Sequence, residues 1–238
     1  MNWKENILAL LYPARCPVCG RIPEGAGRKI CVKCDEQLKP LRGSRCFKCS
    51  KPLHSEQREY CGDCSSARHA FKQGIAVYPY DKVLKKSIYQ IKYYNKREYI
   101  PFFAERAVKE TAAVIKRWSP DFMVPIPLHK KKQRIRGFNQ AELLARGIGE
   151  KLGIQVRNDL LVRIINTVPQ KELTLKERQN NLKKAFKIVG NDVKLKKVLL
   201  VDDIYTTGST IDAAAQALLD AGAKEVCFIT LCIGSGGT

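Results

Sequence analysis

The spacing of apolar residues changes between residues 67 and 72, where a polar N-terminal region gives way to strand and helix patterns. Apolar runs predict strands at residues 74–80, 122–127, 198–201 and 225–231, with an extended segment at 155–165. Apolar residues at helical spacing predict helices after Asp81, over residues 99–118, after Asn139 and from Ile211. The run at 198–201 is apolar without alternation, which favours a central parallel strand buried on both faces. The pattern as a whole predicts an α/β fold.

Two polar segments flank or interrupt this pattern. Residues 166–174 predict a mobile loop before a helix, and such a loop could close over a ligand and exclude water. That helix would carry Glu177, Arg178, Asn181 and Phe186. Residues 3–12 predict a short docking helix that is too interrupted by charge for a secretory signal. We expect an N-terminal domain over residues 1–68 and a second domain over 69–238.

The most informative stretch is VLLVDDIYTTGST, in which a buried strand leads into two acids, a small polar loop and a helix. Asp202 and Asp203 follow the apolar run, and ligands of open α/β sheets bind outside the carboxyl ends of the strands. The loop consists of Thr206, Thr207, Gly208, Ser209 and Thr210. Hydroxyls, backbone N–H groups and a helix N-terminus together bind anions, whereas carboxylates accept hydrogen bonds from hydroxyls. The combination predicts a ribose 5-phosphate site; a generic strand–turn–helix with acids at the strand end is the alternative.

Eight of the ten cysteines form C-x-x-C pairs that recur every fifteen residues. The four pairs are Cys16/Cys19, Cys31/Cys34, Cys46/Cys49 and Cys61/Cys64. Two such pairs complete a tetrahedral four-sulfur shell, so the four pairs predict two zinc ions in a double zinc ribbon. We expect the first two pairs to share one ion and the last two the other, with interleaved pairing left open. Disulfides are disfavoured because the sequence lacks a secretory signal, and His54 and His69 are interpreted as surface residues.

The chain is strongly basic, with 43 Lys and Arg against 23 Asp and Glu and a net charge of +20. This balance favours polyanionic partners, although a lysine-rich surface coat is equally compatible with charge alone. The most basic loop follows the strand at 122–127 and contains Lys130, Arg134 and Arg136. Its place between a strand and a helix puts these cations on the side of the crevice that holds the acids. No run of eighteen apolar residues occurs, so we expect no transmembrane segment.

The stretch around Asp202 resembles the phosphoribosyl pyrophosphate (PRPP) signature of type I phosphoribosyltransferases. The resemblance implies that Asp202 and Asp203 hold the ribose hydroxyls in a catalytic role and that residues 206–210 hold the 5-phosphate. It also implies that the basic loop binds pyrophosphate, with Mg²⁺ neutralising its charge.

The chain resembles the ComF family in five features taken together: the zinc pairs, VPIP with its basic loop, RGFNQ, a segment with Gln170, Leu173, Arg178 and Asn181, and VLLVDDIYTTGST. The resemblance implies a type I phosphoribosyltransferase-like parallel sheet after a zinc-ribbon domain. It further implies cytoplasmic handling of incoming single-stranded DNA in natural transformation, with a helicase-like ATPase as partner; recruitment to the inner face of the membrane is left open. Two functions stay open here: a DNA-handling factor that binds PRPP, and an active Mg²⁺-dependent transferase with an unassigned acceptor.

Overall fold

A four-stranded parallel sheet forms the centre of the molecule. The computed structural model describes residues 13–25, 27–53, 55–164 and 185–234. The sheet strands are β1 (Gln73–Pro79), β2 (Phe122–Pro125), β5 (Lys197–Tyr205) and β6 (Glu225–Ile233), in the order β1-β6-β5-β2. A separate antiparallel pair consists of β3 (Leu161–Arg163) and β4 (Phe186–Ile188).

Seven α-helices surround the strands in the described parts of the chain. Two short helices lie in the cysteine region, α1 (Val32–Gln37) and α2 (Gly62–Ser66). The others are α3 (Lys82–Tyr93), α4 (Ile100–Trp118), α5 (Lys130–Arg136), α6 (Gln140–Leu152) and α7 (Ser209–Asp220). Asp81 caps α3 by accepting from the Val83 and Leu84 amides, and Asn139 caps α6, which confirms both predicted starts. None of these helices has the length and apolar character that crossing a membrane requires.

The central strand β5 is buried on both faces, as its unbroken apolar run predicts. Leu199 and Val201 pack with α3, α4 and α6 on one face, whereas Val198 and Leu200 pack with α7 on the other. Pairing of β5 with β2 ends at Val201, but pairing with β6 continues to Tyr205. The acids therefore lie inside β5 rather than beyond its end, at the level where its neighbour β2 has stopped.

The cysteine region covers the β1 edge of the sheet. The Leu41 amide donates to the Val77 carbonyl at 2.8 Å, and the Gly74 amide donates to the Lys48 carbonyl at 2.8 Å. Residues of the first cysteine group join the hydrophobic cluster on one face of the sheet, and residues of the second join the cluster on the other. The two halves of this region therefore straddle one edge of the sheet. The expected domain boundary after residue 68 falls between α2 and β1 and stays a prediction.

Several expectations need correction. The basic stretch is not a loop, because Lys130–Arg136 forms helix α5 between a capping His129 and a left-handed Gly137. Phe186 lies in strand β4 rather than in a helix. In the described part of the predicted extended segment, residues 155–164, one short strand forms, β3, beside an isolated bridge of Val156 to β2. The predicted helix at 3–12, His54, the loop at 166–174 and the start of the helix after it lie outside the described residues.

His69 is not a surface residue. Its side chain is only 5% exposed, and its Nδ1 lies 2.5 Å from Asp212 Oδ2 in the first turn of α7. The other oxygen of Asp212 accepts from the Ala70 amide at 2.9 Å. The end of the cysteine region is thereby attached to the helix that follows the predicted phosphate loop.

Candidate functional site

The candidate site is built around the two acids of β5. Asp203 is buried, and its Oδ2 lies 2.5 Å from Lys92 Nζ near the end of α3. Its Oδ1 accepts from Gln140 Nε2 at 3.2 Å, in the first turn of α6. Asp202 Oδ1 accepts from the Asp203 amide at 2.8 Å. Side chains from two helices thus converge on the acid pair, and neither Lys92 nor Gln140 was among the predicted site residues.

The two acids have opposite protonation tendencies. Burial raises the pKa of Asp202 well above its usual value, and the adjacent charge of Asp203 raises it further. Burial acts on Asp203 in the same direction, but the charge of Lys92 and its hydrogen bond outweigh it and lower the pKa of Asp203. The pKa of Lys92 is raised, because the attraction of Asp203 outweighs the effect of burial. The pair therefore carries one firmly held negative charge and one carboxyl that favours its protonated form.

Helix α5 presents only part of its positive charge to the acids. Arg136 donates to Gln140 Oε1, so a hydrogen-bonded chain runs from this guanidinium to Asp203. Residues four apart share a helix face, which places Lys132 on the side of Arg136. The pKa of Lys132 is lowered by burial and then by the positive charges of Arg163, Arg136 and Lys92. These cations lie close enough to repel one another, which makes the site attractive to an anion.

Lys130 and Arg134 of the expected basic set do not join this cluster. None of the contacts among the described residues connects either of them with the acids or with the other cations of the cluster. The helical spacing explains the division, since positions 130 and 134 lie on a different face of α5 from positions 132 and 136. Of the three basic residues expected at the site, Arg136 is therefore the one that reaches it.

The predicted phosphate loop lies between β5 and α7. Gly208 has φ +81° and serves as the N-cap of α7, and its carbonyl accepts from the Asp212 amide at 2.8 Å. The hydroxyls of Thr207 and Ser209 lie 2.9 Å apart, while Thr206 and Thr207 are exposed. A helix N-terminus bordered by hydroxyls has the donors that a phosphate requires. The helix begins at Ser209, two residues earlier than the apolar pattern indicates.

The eight paired cysteines form two four-thiol groups in the sequential order that we expected. One group contains Cys16, Cys19, Cys31 and Cys34, and the other contains Cys46, Cys49, Cys61 and Cys64. In each group the four sulfur atoms lie within 4.8 Å of one another. The Cys19 and Cys31 sulfurs are 3.7 Å apart, close to the edge of about 3.8 Å in a tetrahedron with Zn–S bonds of about 2.3 Å. Both groups fit a tetrahedral zinc ion.

Each group is made from a turn and a short helix. After the first pair of each group the chain reverses through a left-handed residue, Gly20 at φ +77° or Ser50 at φ +70°. The Gly20 and Ser50 amides donate to the carbonyls of Cys16 and Cys46 at 2.9 and 2.8 Å. The second pairs lie on α1 and α2, with the first cysteine of each pair at the N-cap. The two sites are repeats of one local design.

Each half of the chain matches a known protein domain. Residues 7–65 match the model of the double zinc ribbon domain, and residues 141–238 match that of the phosphoribosyl transferase domain. The DNA utilization protein YhgH of Salmonella typhi is 31% identical over 161 residues, which cover 66% of this chain and 70% of that protein. The competence protein ComFC of Bacillus subtilis is 29% identical over 85% of this chain and 83% of its own length. The chain belongs to the ComF family.

Other similarities are partial. Competence protein F of Haemophilus influenzae is 37% identical over 109 residues, 45% of this chain and 48% of that protein, so the match spans about half of that relative. A purine phosphoribosyltransferase structure from Pyrococcus horikoshii is 21% identical and covers 56% of this chain and 73% of its own, with a TM-score of 0.36. The fold of this ComF-family protein is that of a type I phosphoribosyltransferase-like domain with a double zinc ribbon, on the basis of its family models and parallel sheet.

Proposed function

We propose that this ComF-family protein binds PRPP at its acid pair and handles incoming single-stranded DNA in natural transformation. The observation that carries the PRPP half is the meeting of three groups: the acids Asp202 and Asp203, the helix N-terminus that follows them in the chain, and the cations Lys92 and Arg136, which reach Asp203 directly or through Gln140. A sugar that carries a phosphate at one end and a pyrophosphate at the other matches that order of charges.

The roles of the residues follow from their chemistry. Asp202 and Asp203 accept hydrogen bonds from the ribose hydroxyls, and the amides and hydroxyls of residues 206–210 bind the 5-phosphate. Lys132 and Arg136 face the pyrophosphate, which Mg²⁺ accompanies and neutralises.

The proposed DNA-handling function is supported by the net charge of the chain and by its homologues. The relatives named above are a DNA utilization protein and two competence proteins. A chain with a net charge of +20 can neutralise many phosphates, and the release of their counterions favours binding. We infer a cytoplasmic protein that works beside a helicase-like ATPase.

Calorimetric titration of the zinc-loaded full chain with PRPP and Mg²⁺ tests the PRPP site. Asp202→Asn/Asp203→Asn should abolish the binding heat. Asp220→Asn is the matched control, because it removes an exposed carboxylate at the end of α7 whose described partner is Gln216. Equal affinity of the acid-pair variant and the wild type would refute the assignment.

Transferase activity is the second candidate, because the acid pair and the phosphate loop are both present in the order that turnover requires. The same two carboxylates would then hold the ribose while pyrophosphate leaves and an acceptor attacks the anomeric carbon; positioning and charge stabilisation would supply the rate enhancement. Release of pyrophosphate together with transfer of the phosphoribosyl group to an added acceptor, both lost in Asp202→Asn/Asp203→Asn, would demonstrate it. Binding without release would leave PRPP as a ligand only.

A further inference from the structure

The outer face of α3 carries an uncommon set of exposed side chains. Leu84, Ile88 and Ile91 are buried against the sheet, so the opposite face of the helix points to solvent. That face presents lysines in the first half of the helix and tyrosines at its end. Its members are Lys82, Lys85, Lys86, Tyr89 and Tyr93. Because Lys82, Lys85 and Lys86 lie on this face and α3 contains no acidic residue, the first half of the face is positive.

Three tyrosines form a cluster at the C-terminal end of this helix. Tyr89, Tyr93 and Tyr94 are 53%, 65% and 65% exposed. The ring of Tyr89 lies 4.6 Å from that of Tyr93 and 5.9 Å from that of Tyr94. Aromatic residues so exposed gain little from the protein core, and their mutual contacts hold the rings in place before any ligand arrives. The cluster thus offers flat apolar surfaces to solvent.

The tyrosine cluster borders the acid site. The Arg136 guanidinium lies 5.9 Å from the centre of the Tyr93 ring, and the same guanidinium donates to Gln140, which binds Asp203. Lys92, which pairs with Asp203, precedes Tyr93 in the chain. A ligand stacked on the tyrosines therefore lies beside the groups that would hold PRPP.

We propose that the lysine–tyrosine face of α3 is the surface that binds single-stranded DNA, with bases stacked on the tyrosines and phosphates on Lys82, Lys85 and Lys86. Stacking requires bases whose faces are open, which a duplex does not offer, and the row of cations follows the backbone. The inference rests on the DNA half of the proposed function and names its binding surface. Two exposed acidic groups lie near the ends of α3, Asp81, which caps the helix, and Glu98, which pairs with Lys96; Asp203 is buried and paired with Lys92.

The test compares two exposed aromatic sites in the zinc-loaded full chain. Tyr89→Ala/Tyr94→Ala should weaken binding of a labelled thymidine oligonucleotide by about fivefold or more, because stacking contributes about 1–3 kcal/mol per base. The variant keeps Tyr93 and its contact with Arg136, so PRPP binding should not change. Tyr89→Phe/Tyr94→Phe retains the rings and should bind DNA within about twofold of wild type.

Phe47→Ala/Tyr60→Ala is the matched control on the second ribbon, where both rings are exposed and meet edge to face at 6.4 Å. Oligonucleotide affinity should survive this change. Loss with the ribbon variant and not with the α3 variant would overturn the proposal, as would a duplex of equal length that binds as tightly as the single strand. Absence of oligonucleotide binding by wild type that still binds PRPP would refute the α3 surface but not the PRPP site.

The salt dependence of DNA binding tests the role of the three lysines separately from that of the tyrosines. Single-stranded binding weakens with salt in proportion to the phosphates contacted, with a logarithmic slope of about −0.7 per phosphate. Lys82→Ala/Lys85→Ala/Lys86→Ala should therefore flatten the slope by about 2. A slope equal to that of wild type would show that the DNA backbone does not follow α3.

Discussion

Lys92 Nζ lies 2.5 Å from Asp203 Oδ2, an ion pair that fixes the end of α3 to the centre of the acid site. Both side chains are largely withdrawn from water, with 19% and 10% of their surfaces exposed. Removing one partner of such a pair leaves a buried charge without compensation, which is more costly than removing both. The stability of the free protein should therefore depend on this contact.

Lys92→Met should lower the free energy of unfolding at pH 7 by about 3 kcal/mol. In wild type the lowered pKa of Asp203 contributes stability that is present above about pH 4 and is lost as the pH falls through the folded value. Without the cation, burial and Asp202 would raise the pKa of Asp203, so the variant should gain stability as the pH falls from 7 to 5. Urea unfolding over pH 3–7 measures both effects.

Lys85→Met is the control for that measurement, since it removes an exposed lysine from the same helix. It should change stability by less than about 0.5 kcal/mol and leave the pH dependence as in wild type. If Lys85→Met and Lys92→Met behaved alike, the ion pair would have no special role.

Because α5 has two different faces, removing two positive charges from one face should affect PRPP affinity differently from removing two from the other. Lys132→Ala/Arg136→Ala should weaken PRPP binding by about tenfold or more, because each charge-assisted contact contributes about 1.5–3 kcal/mol. Lys130→Ala/Arg134→Ala removes the same net charge from the other face and should change affinity by less than about threefold at physiological salt. Calorimetric titration of both variants with PRPP measures the difference. Equal losses of PRPP affinity would indicate that only the net charge of α5 matters.

Gly208 has a conformation that no other residue can adopt here without strain. It has φ +81°, and a Cβ would collide with the Tyr205 hydroxyl, whose ring is stacked on Phe228 at 4.9 Å. Gly208→Ala should destabilise the protein by roughly 2 kcal/mol or more and weaken PRPP binding. Gly153→Ala is the matched control, because Gly153 has φ +68° and open space around its Cα. An alanine there is strained but meets no neighbour, so this variant should lose about 1 kcal/mol of stability. Thermal unfolding of the two variants separates the cost of backbone strain from the cost of the collision.

The two thiol groups should lose their metals independently. Cys16→Ser and Cys46→Ser should each reduce the zinc content from two ions per chain to one, measured by native mass spectrometry. Cys227→Ala, a buried cysteine outside both groups, should keep two. Loss of both ions from either single variant would contradict two separate sites.

The sequence predicted those parts of the site whose residues lie close together along the chain. The thiol groups, the two acids and the phosphate loop each lie within a short stretch whose spacing defines its chemistry. Lys92 and Gln140 could not be found in this way, because their proximity to Asp203 arises only when α3 and α6 pack against β5. His69 was misjudged for the same reason, since its partner Asp212 lies 143 residues further along the chain.

The basic helix shows a different limit. Lys130–Arg136 has one apolar residue, Ile135, which is 81% exposed, so no buried stripe indicates a helix. Its ends carry the information instead: His129 accepts from the Lys131 amide, and Gly137 ends the helix in the left-handed region. Since a run of like charges otherwise resembles a loop, Lys132 was not singled out although it shares a helix face with Arg136.

The position of the ribbons at β1 has a consequence for self-association. An edge strand with free backbone groups is a template on which another chain can add a strand. Here the backbone of Leu41, between the two thiol groups, and that of Lys48, between Cys46 and Cys49, occupy that edge. Because the metals hold those segments in shape, a chelator should do more than unfold a small domain: it should uncover β1 and make the protein prone to aggregation.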